Sequence, residues 1–214
     1  SGTSTLNFTV TRTGFSAAAV GFTFATANDS ATAGSDYVAA SGSGSIPGGG
    51  ASGTTTLSVT INGDAVFENN ESFFVNLSAP SNATIADAQG IGTINNDDTA
   101  PTLSINDVSI VEGNSGTSSL VFTVTRTGLT ELPATFTAAT ANGTATAPSD
   151  YLSALTGSTS IAAGGATGTT TLTATINGDE VVEANESFFV NLSAPGNATI
   201  SDNQGIGTIT NDDV

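Results

Sequence analysis

The chain of 214 residues carries 19 acidic residues against two basic ones, Arg12 and Arg126, with no histidine and no cysteine, for a net charge of −17. That balance excludes nucleic acid and anionic membrane as partners, since both need basic surface, and the missing cysteine excludes disulfide frameworks and thiolate sites. No apolar run approaches the roughly 18 residues of a membrane span, and the opening "SGTSTLNFTV", mid-pattern, with no signal peptide and no initiator Met, predicts a piece or processed product of a longer polypeptide.

Taken in chain order, the elements come twice. "FTVTRTG" at 8–14 returns at 122–128, and "SDY" at 35–37 returns at 149–151, both 114 residues on. "GTTTL" at 53–57, "INGDAVFENNESFFVNLSAP" at 61–80 and "NDD" at 96–98 return 115 residues on, the long one as "INGDEVVEANESFFVNLSAP". One residue is gained between the Asp36 and Gly53 positions, in a stretch whose Gly, Ser and Ala content reads as a loop. A period near 115 is too long for a solenoid repeat, so each copy is expected to be a domain with its own core. The boundaries are 1–98 and 103–214, with a linker at 99–102 stiffened by Pro101.

Within each copy the apolar period is two. Leu120, Phe122 and Val124 alternate with mostly polar neighbours, Leu172, Ala174 and Ile176 with threonines, and Phe188, Val190 and Leu192 continue the scheme. Turn residues come every 8–12 positions and no helical period survives, which predicts about seven strands per copy. The expected fold is all-β: two tandem seven-stranded antiparallel β-sandwiches, immunoglobulin-like. The second copy opens with "PTLSINDVSIVEGNSG", whereas the first begins at the residue aligned with Ser115 and so lacks its opening strand. A sheet edge and a row of apolar side chains are expected to stand open there.

The acids fall mostly between strands. Asp64, Glu68 and Glu71 recur as Asp179, Glu183 and Glu186, and Asp97-Asp98 recur as Asp212-Asp213. Two carboxylates 4 Å apart repel by about 4 kcal/mol at an effective dielectric near 20, so a convergence of several calls for protonation or a cation. Without His or Cys only oxygen donors are on offer, which favours a hard ion, and loop-borne carboxylates suit Ca²⁺ better than the strict octahedron of Mg²⁺. The D-x₃-E-x₂-E spacing is neither an EF-hand loop nor a nonapeptide repeat. On the residues alone, a solvated acidic loop without metal stays open beside the calcium reading.

"VTRTG", "ATAPSDY", "INGDEVVEANESFFVNLSAP" and "IGTITNDD", in that order, resemble the Calx-beta domain. The resemblance runs through copy two end to end and through copy one except its first strand. It implies a seven-stranded sandwich with calcium ligands at one end. In copy two those positions fall on Glu112, Asp150, Asp179, Glu183, Glu186, Asp212 and Asp213; in copy one they fall on Asp36, Asp64, Glu68, Glu71, Asp97 and Asp98, with no counterpart of Glu112. Family members with richly charged sites carry Asp where Asn96 and Asn211 stand, and often where Gly63 and Gly178 stand, so fewer or weaker ions are implied here.

The two arginines hold one position right after a strand, which reads as a hydrogen-bonding corner. Asp87 and Asp202, each before Gln-Gly, read as turn residues. Catalysis finds no support: no His, Cys or Lys is present for a nucleophile–base pair, and two Tyr without Trp do not line a glycosidase cleft. The expected protein is a calcium-stabilised structural repeat module of an extracellular bacterial adhesin, matrix or filament protein, outside the cell or on its surface. The alternatives are a regulatory calcium-sensing pair and a subunit of a donor-strand-linked fibre. Expected partners are calcium ions and adjacent repeats, or neighbouring subunits through the open edge of copy one.

Overall fold

A computed structural model describes residues 2–214. Among them are sixteen strands and no helix long and apolar enough to cross a membrane. In chain order the strands are β1 (Gly2–Thr13), β2 (Val20–Asn28), β3 (Ser41–Ile46), β4 (Ser52–Gly63), β5 (Glu71–Ser81), β6 (Gln89–Ile94), β7 (Thr102–Ile105) and β8 (Val108–Val111). They continue with β9 (Gly116–Thr127), β10 (Ala134–Asn142), β11 (Tyr151–Gly157), β12 (Ser160–Ile161), β13 (Thr167–Gly178), β14 (Glu186–Gly196), β15 (Thr199–Ile200) and β16 (Gln204–Thr210). The chain divides into two compact units, Ser1–Ala65 with Asn69–Asp97, and Val66–Glu68 with Asp98–Val214.

Two sheets face each other in the second unit, ordered β11-β13-β9-β7-β15 and β12-β10-β14-β16-β8. Period-two alternation decides which faces meet. Leu120, Phe122 and Val124 of β9, Leu172, Ala174 and Ile176 of β13, and Phe188, Val190 and Leu192 of β14 all point inward and are buried. Each of the Leu, Ile, Val and Phe side chains among them contributes about 1.5–3 kcal/mol by leaving water. At the centre Tyr151 stacks on Phe188 at 4.2 Å between ring centroids, and Phe122 meets Phe188 edge-on at 6.0 Å.

The opening run of this unit serves both sheets. It pairs with β9 as β7, switches at Asn106-Asp107, and pairs with β16 as β8. Where the ladder breaks, side chains stand in for it: Asn106 Oδ1 accepts from Thr123 N at 2.6 Å, and Asp107 Oδ1 from Ile206 N at 2.7 Å. Pro101, just before β7, is buried, and its carbonyl accepts from Thr199 N at 2.8 Å.

The first unit has the same long hairpin-like pair, β1 with β4 from Gly2↔Gly63 to Thr13↔Ser52, facing a sheet ordered β3-β2-β5-β6. Tyr37 stacks on Phe73 at 4.4 Å, and Phe8 meets Phe73 edge-on at 5.9 Å. Among the described residues no strand lies where β7 and β8 lie in the second unit.

The Gly/Ser-rich stretch between Asp36 and Gly53 is not simply a loop. Residues Ser41–Ile46 form β3, paired along β2 from Ala25↔Ser41 to Val20↔Ile46. Small residues are there for packing rather than turning: a Cβ on Gly44 would stand 2.3 Å from the Phe22 ring. Arg126 is 1% exposed, and its guanidinium donates to the carbonyls of Gly128, Gly164 (2.7 Å) and Gly165 (3.0 Å). Arg12 does the same with Gly14, Gly49 (2.6 Å) and Gly50 (3.4 Å), so both arginines are hydrogen-bonding corners.

Candidate metal centre

Strand ends place the acids. Asp150 immediately precedes β11, Glu186 is the first residue of β14, Glu112 follows β8, and Asp212 and Asp213 follow β16. Glu186 pairs with Ile209 near the end of β16, and Ile209 pairs with Ile110 of β8, so these ends gather at one end of the unit. The Asp150 loop is held from inside. The Tyr151 hydroxyl donates to Asn142 Oδ1 at 2.6 Å, the same oxygen accepts from Ala147 N at 3.1 Å, and Asn177 Nδ2 donates to the carbonyls of Pro148 (2.8 Å) and Ser149 (2.7 Å). The first unit repeats this with Tyr37 on Asn28 (2.7 Å) and Asn62 on Gly34 (3.1 Å) and Ser35 (2.9 Å). Sequence reading passed over these asparagines and tyrosines as positioning residues, although "TAN", "SDY" and "TING" are repeated in step with the acids.

Among the described residues three clusters of carboxylates form, each with one oxygen per residue within 4.8 Å of the others: Asp36, Glu68 and Glu71; Asp150, Glu183 and Glu186; and Glu112, Asp212 and Asp213. Asp64, Asp97, Asp98 and Asp179 stand outside these clusters. Asp179 Oδ1 accepts from Val181 N at 2.7 Å and turns the loop, yet its charge still bears on Glu112 and Asp213. Asp87 and Asp202 are turn residues, accepting from Gln89 N (3.2 Å) and Gln204 N (3.3 Å).

The proton equilibria record the crowding. Burial, then the shared hydrogen bond and charge of Asp150 and the charges of Glu183 and Glu112, push Glu186 up to about 7. Burial raises Glu112 as well, followed by the charges of Glu183, Asp179, Asp213 and Asp212. Burial and the neighbouring charges of Asp212, Asp179 and Glu180 raise Asp213. Burial also pushes on Asp150, but hydrogen bonds from Thr146 N, Ser149, Glu186 and the Thr146 hydroxyl outweigh it and hold Asp150 low. Glu183 therefore sits between two clusters, a member of one and a perturber of the other.

Calcium fits these donors. All are hard oxygens, and two oxygens on opposite sides of one calcium ion lie about 4.6–5.2 Å apart at normal bond lengths, which matches clusters bounded at 4.8 Å. Glu112 Oε1 and Asp213 Oδ2 are buried with no hydrogen-bond partner among the described residues, oxygens that a cation would satisfy. Asn211 takes a supporting role: its Oδ1 accepts from Glu183 N at 3.2 Å and ties the acidic loop to the end of β16.

A scan against protein families matches the Calx-beta domain twice, over residues 2–99 and 95–213. Among solved structures, the crystal structure of CBD12 from CALX1.2 is similar at 21% identity, covering 90% of this chain and 74% of its own, with a TM-score of 0.42. The calcium binding domain CBD12 of CALX1.1 is similar at 23% identity, with 89% and 74% covered and a TM-score of 0.42. The apo form of the Calx CBD1 domain is 26% identical over 44% of this chain and 83% of its own, with a TM-score of 0.41. A search of curated proteins finds no match. With both halves matched to one family model and carboxylate clusters suited to its ion, the chain belongs to the Calx-beta family: a tandem pair of non-catalytic, calcium-binding modules.

Proposed function

We propose that this pair is calcium-responsive, a regulatory sensor whose acidic strand ends order when ions bind. One observation carries the reading: two carboxylate clusters of the second unit adjoin through Glu183, and Glu112 and Glu186 are both displaced toward their protonated forms without an ion. Such an end is strained by its own charge when empty and relaxed when filled, so calcium changes its state as well as its occupancy. Asp150, Glu183 and Glu186 would hold one ion and Glu112, Asp212 and Asp213 a second, with Asp179 beside them. Asp36, Glu68 and Glu71 would hold one in the first module, with Asp64, Asp97 and Asp98 as outer charges. The modules are taken as 1–98 and 103–214, joined by 99–102, on a seven-stranded design whose opening strand is the β7–β8 run in the second module and has no counterpart among the described residues of the first.

The structural reading, a repeat of an extracellular bacterial adhesin, matrix or filament protein at the cell surface, rests on a different observation. The two modules keep nearly the same motifs, as a mechanical array would. Calorimetric titration with calcium separates the two. A sensor binds at about 10⁻⁷–10⁻⁵ M, a structural extracellular module at about 10⁻⁴–10⁻³ M. Heat and melting temperature unchanged by calcium and by chelator would refute both.

A further inference from the structure

The outward face of the β10-β14-β16 sheet carries a pattern that calcium binding does not use. The alternation that buries Phe188 and Val190 turns Phe189 and Asn191 outward. The ladder sets Ala139, Asn191 and Gln204 in one row across three strands, and Ala141, Phe189 and Ile206 in the next. The first unit repeats both rows on β2, β5 and β6, as Ala25, Asn76 and Gln89, then Ala27, Phe74 and Ile91. All six positions hold the same residue type in both units. Inward positions of β2 and β10 meanwhile change, from Val20 to Ala134 and from Phe24 to Ala138. Packing does not account for a surface that stays the same while the core behind it is refilled.

Each row has its own chemistry. Gln204 Nε2 donates to Asn191 Oδ1 at 2.8 Å, and Gln89 Nε2 to Asn76 Oδ1 at 2.9 Å. That bond fixes both amides and leaves Asn191 Nδ2 to donate and Gln204 Oε1 to accept. The neighbouring row is apolar: Phe189 is half-buried, Ile206 is 37% exposed and its counterpart Ile91 64%. The alanines beside them are too short to cover Phe189 or Asn191. Size and charge then select the occupant. A stable protein interface buries about 1,000 Å² or more, and one phenyl ring, one isoleucine and two alanines fall short of that. The net charge of −17 repels anions, and none of the six side chains is charged to draw a cation. What fits is a neutral molecule with an apolar face and hydroxyls at its rim, which describes a pyranose ring.

We propose that this face is a binding site for a neutral glycan, one in each unit. A β-linked glucosyl ring lays its C–H face across Phe189 and Ile206 and sets its hydroxyls on Asn191 Nδ2 and Gln204 Oε1. Phe74, Ile91, Asn76 and Gln89 do the same in the first unit. A ring whose hydroxyls are all equatorial keeps both of its faces apolar, so it meets the two rows at once. Two paired strands hold the four side chains of each site, and a site built on strands is positioned before its ligand arrives. The inference goes beyond calcium binding and stands without it.

The probe is cellohexaose, titrated into the whole chain by calorimetry. Binding at two sites is expected. A hyaluronan hexasaccharide, also β-linked but anionic, is expected to bind at least about tenfold more weakly. Gln89 and Gln204 are exposed, so Gln89→Ala and Gln204→Ala keep the fold, and each is expected to weaken one site at least about tenfold without moving the melting temperature. Phe189→Ala is expected to remove the site of the second unit and to leave that of the first. Absence of binding to cellohexaose at millimolar concentration would overturn the proposal. Binding that the paired Gln89→Ala, Gln204→Ala variant leaves unchanged, or equal binding of the anionic sugar, would overturn it as well. Self-association of the chain that Ile206→Ser abolishes would do the same, making the face a contact between copies.

Discussion

Replacing Glu186 by Gln is expected to stabilise the second module in chelator and to weaken it in calcium. Two ionised carboxylates at 4.8 Å repel by about 3.5 kcal/mol at an effective dielectric of 20. The protein avoids that cost by letting Glu186 hold its proton up to about 7, against an ordinary 4.5, and by donating that proton toward Asp150. The folded, ion-free module thus binds a proton that the unfolded chain has released. The contribution is complete below pH 4.5 and is lost as pH rises through about 7. The full linkage is about 3 kcal/mol, and water at the partly exposed site screens it to the order of 1 kcal/mol, a few degrees in melting temperature. The amide of the Glu186→Gln variant keeps a hydrogen-bond donor for Asp150 without charge. The variant in chelator is therefore expected to melt a few degrees higher at pH 8 and to lose most of the stability difference between pH 5 and pH 8. In calcium it loses a charged ligand, and affinity falls at least about tenfold. Calorimetric melts of both proteins at pH 5 and pH 8, with calcium and with chelator, decide the matter. A variant that melts lower in chelator, or that keeps the wild-type pH slope, refutes the reasoning.

Glu183→Ala, at a residue that belongs to one cluster of the second module and whose charge bears on the other, is expected to reduce calcium uptake there by more than one ion while sparing the first module; Glu68→Ala is expected to lower uptake in the first module and spare the second, and Asp202→Ala to leave both titrations unchanged. Gly205→Ala is expected to destabilise its module by about 1–3 kcal/mol through the close approach of Asn106 and Ile105, and Gly90→Ala by clearly less, as read from urea melts. Arg126→Lys, unable to reach the Gly128, Gly164 and Gly165 carbonyls together, is expected to lower stability by about 2–4 kcal/mol at any calcium concentration.

The period-two runs were legible because burial acts residue by residue: Leu120, Phe122 and Val124 point inward wherever the strand lies. Strand β3 was not, since Gly and Ser advertise turns and only the rings of Phe22 and Phe24 above them explain why side chains are excluded. The metal centre divides the same way. Of thirteen acids singled out in the sequence, nine meet in clusters. Spacing alone does not separate Glu183, which reaches across the loop, from Asp179, which spends one oxygen on Val181 N. Nor does it reveal that Asn142 and Tyr151 hold the Asp150 loop, because that contact depends on a buried hydroxyl arriving from the core.

Strand and ion are joined in the second module. β8 ends at Val111, and the next residues enter the acidic end: Glu112 joins Asp212 and Asp213, Gly113 N donates to Asp212 Oδ1 at 3.0 Å, and Asn114 Nδ2 to Asp213 Oδ1 at 2.6 Å. An ion gathered by Glu112, Asp212 and Asp213 would favour the seated β7–β8 run, and by linkage the seated run would favour the ion to the same degree. A Glu112→Gln variant of the whole chain is accordingly expected to lose much of the calcium-induced rise in the melting temperature of the second module while keeping that of the first. Calorimetric melts of both proteins in calcium and in chelator test this. An equal rise in the two proteins would mean that the ion acts without Glu112, and that the seating of β8 and calcium binding are separate properties of the module.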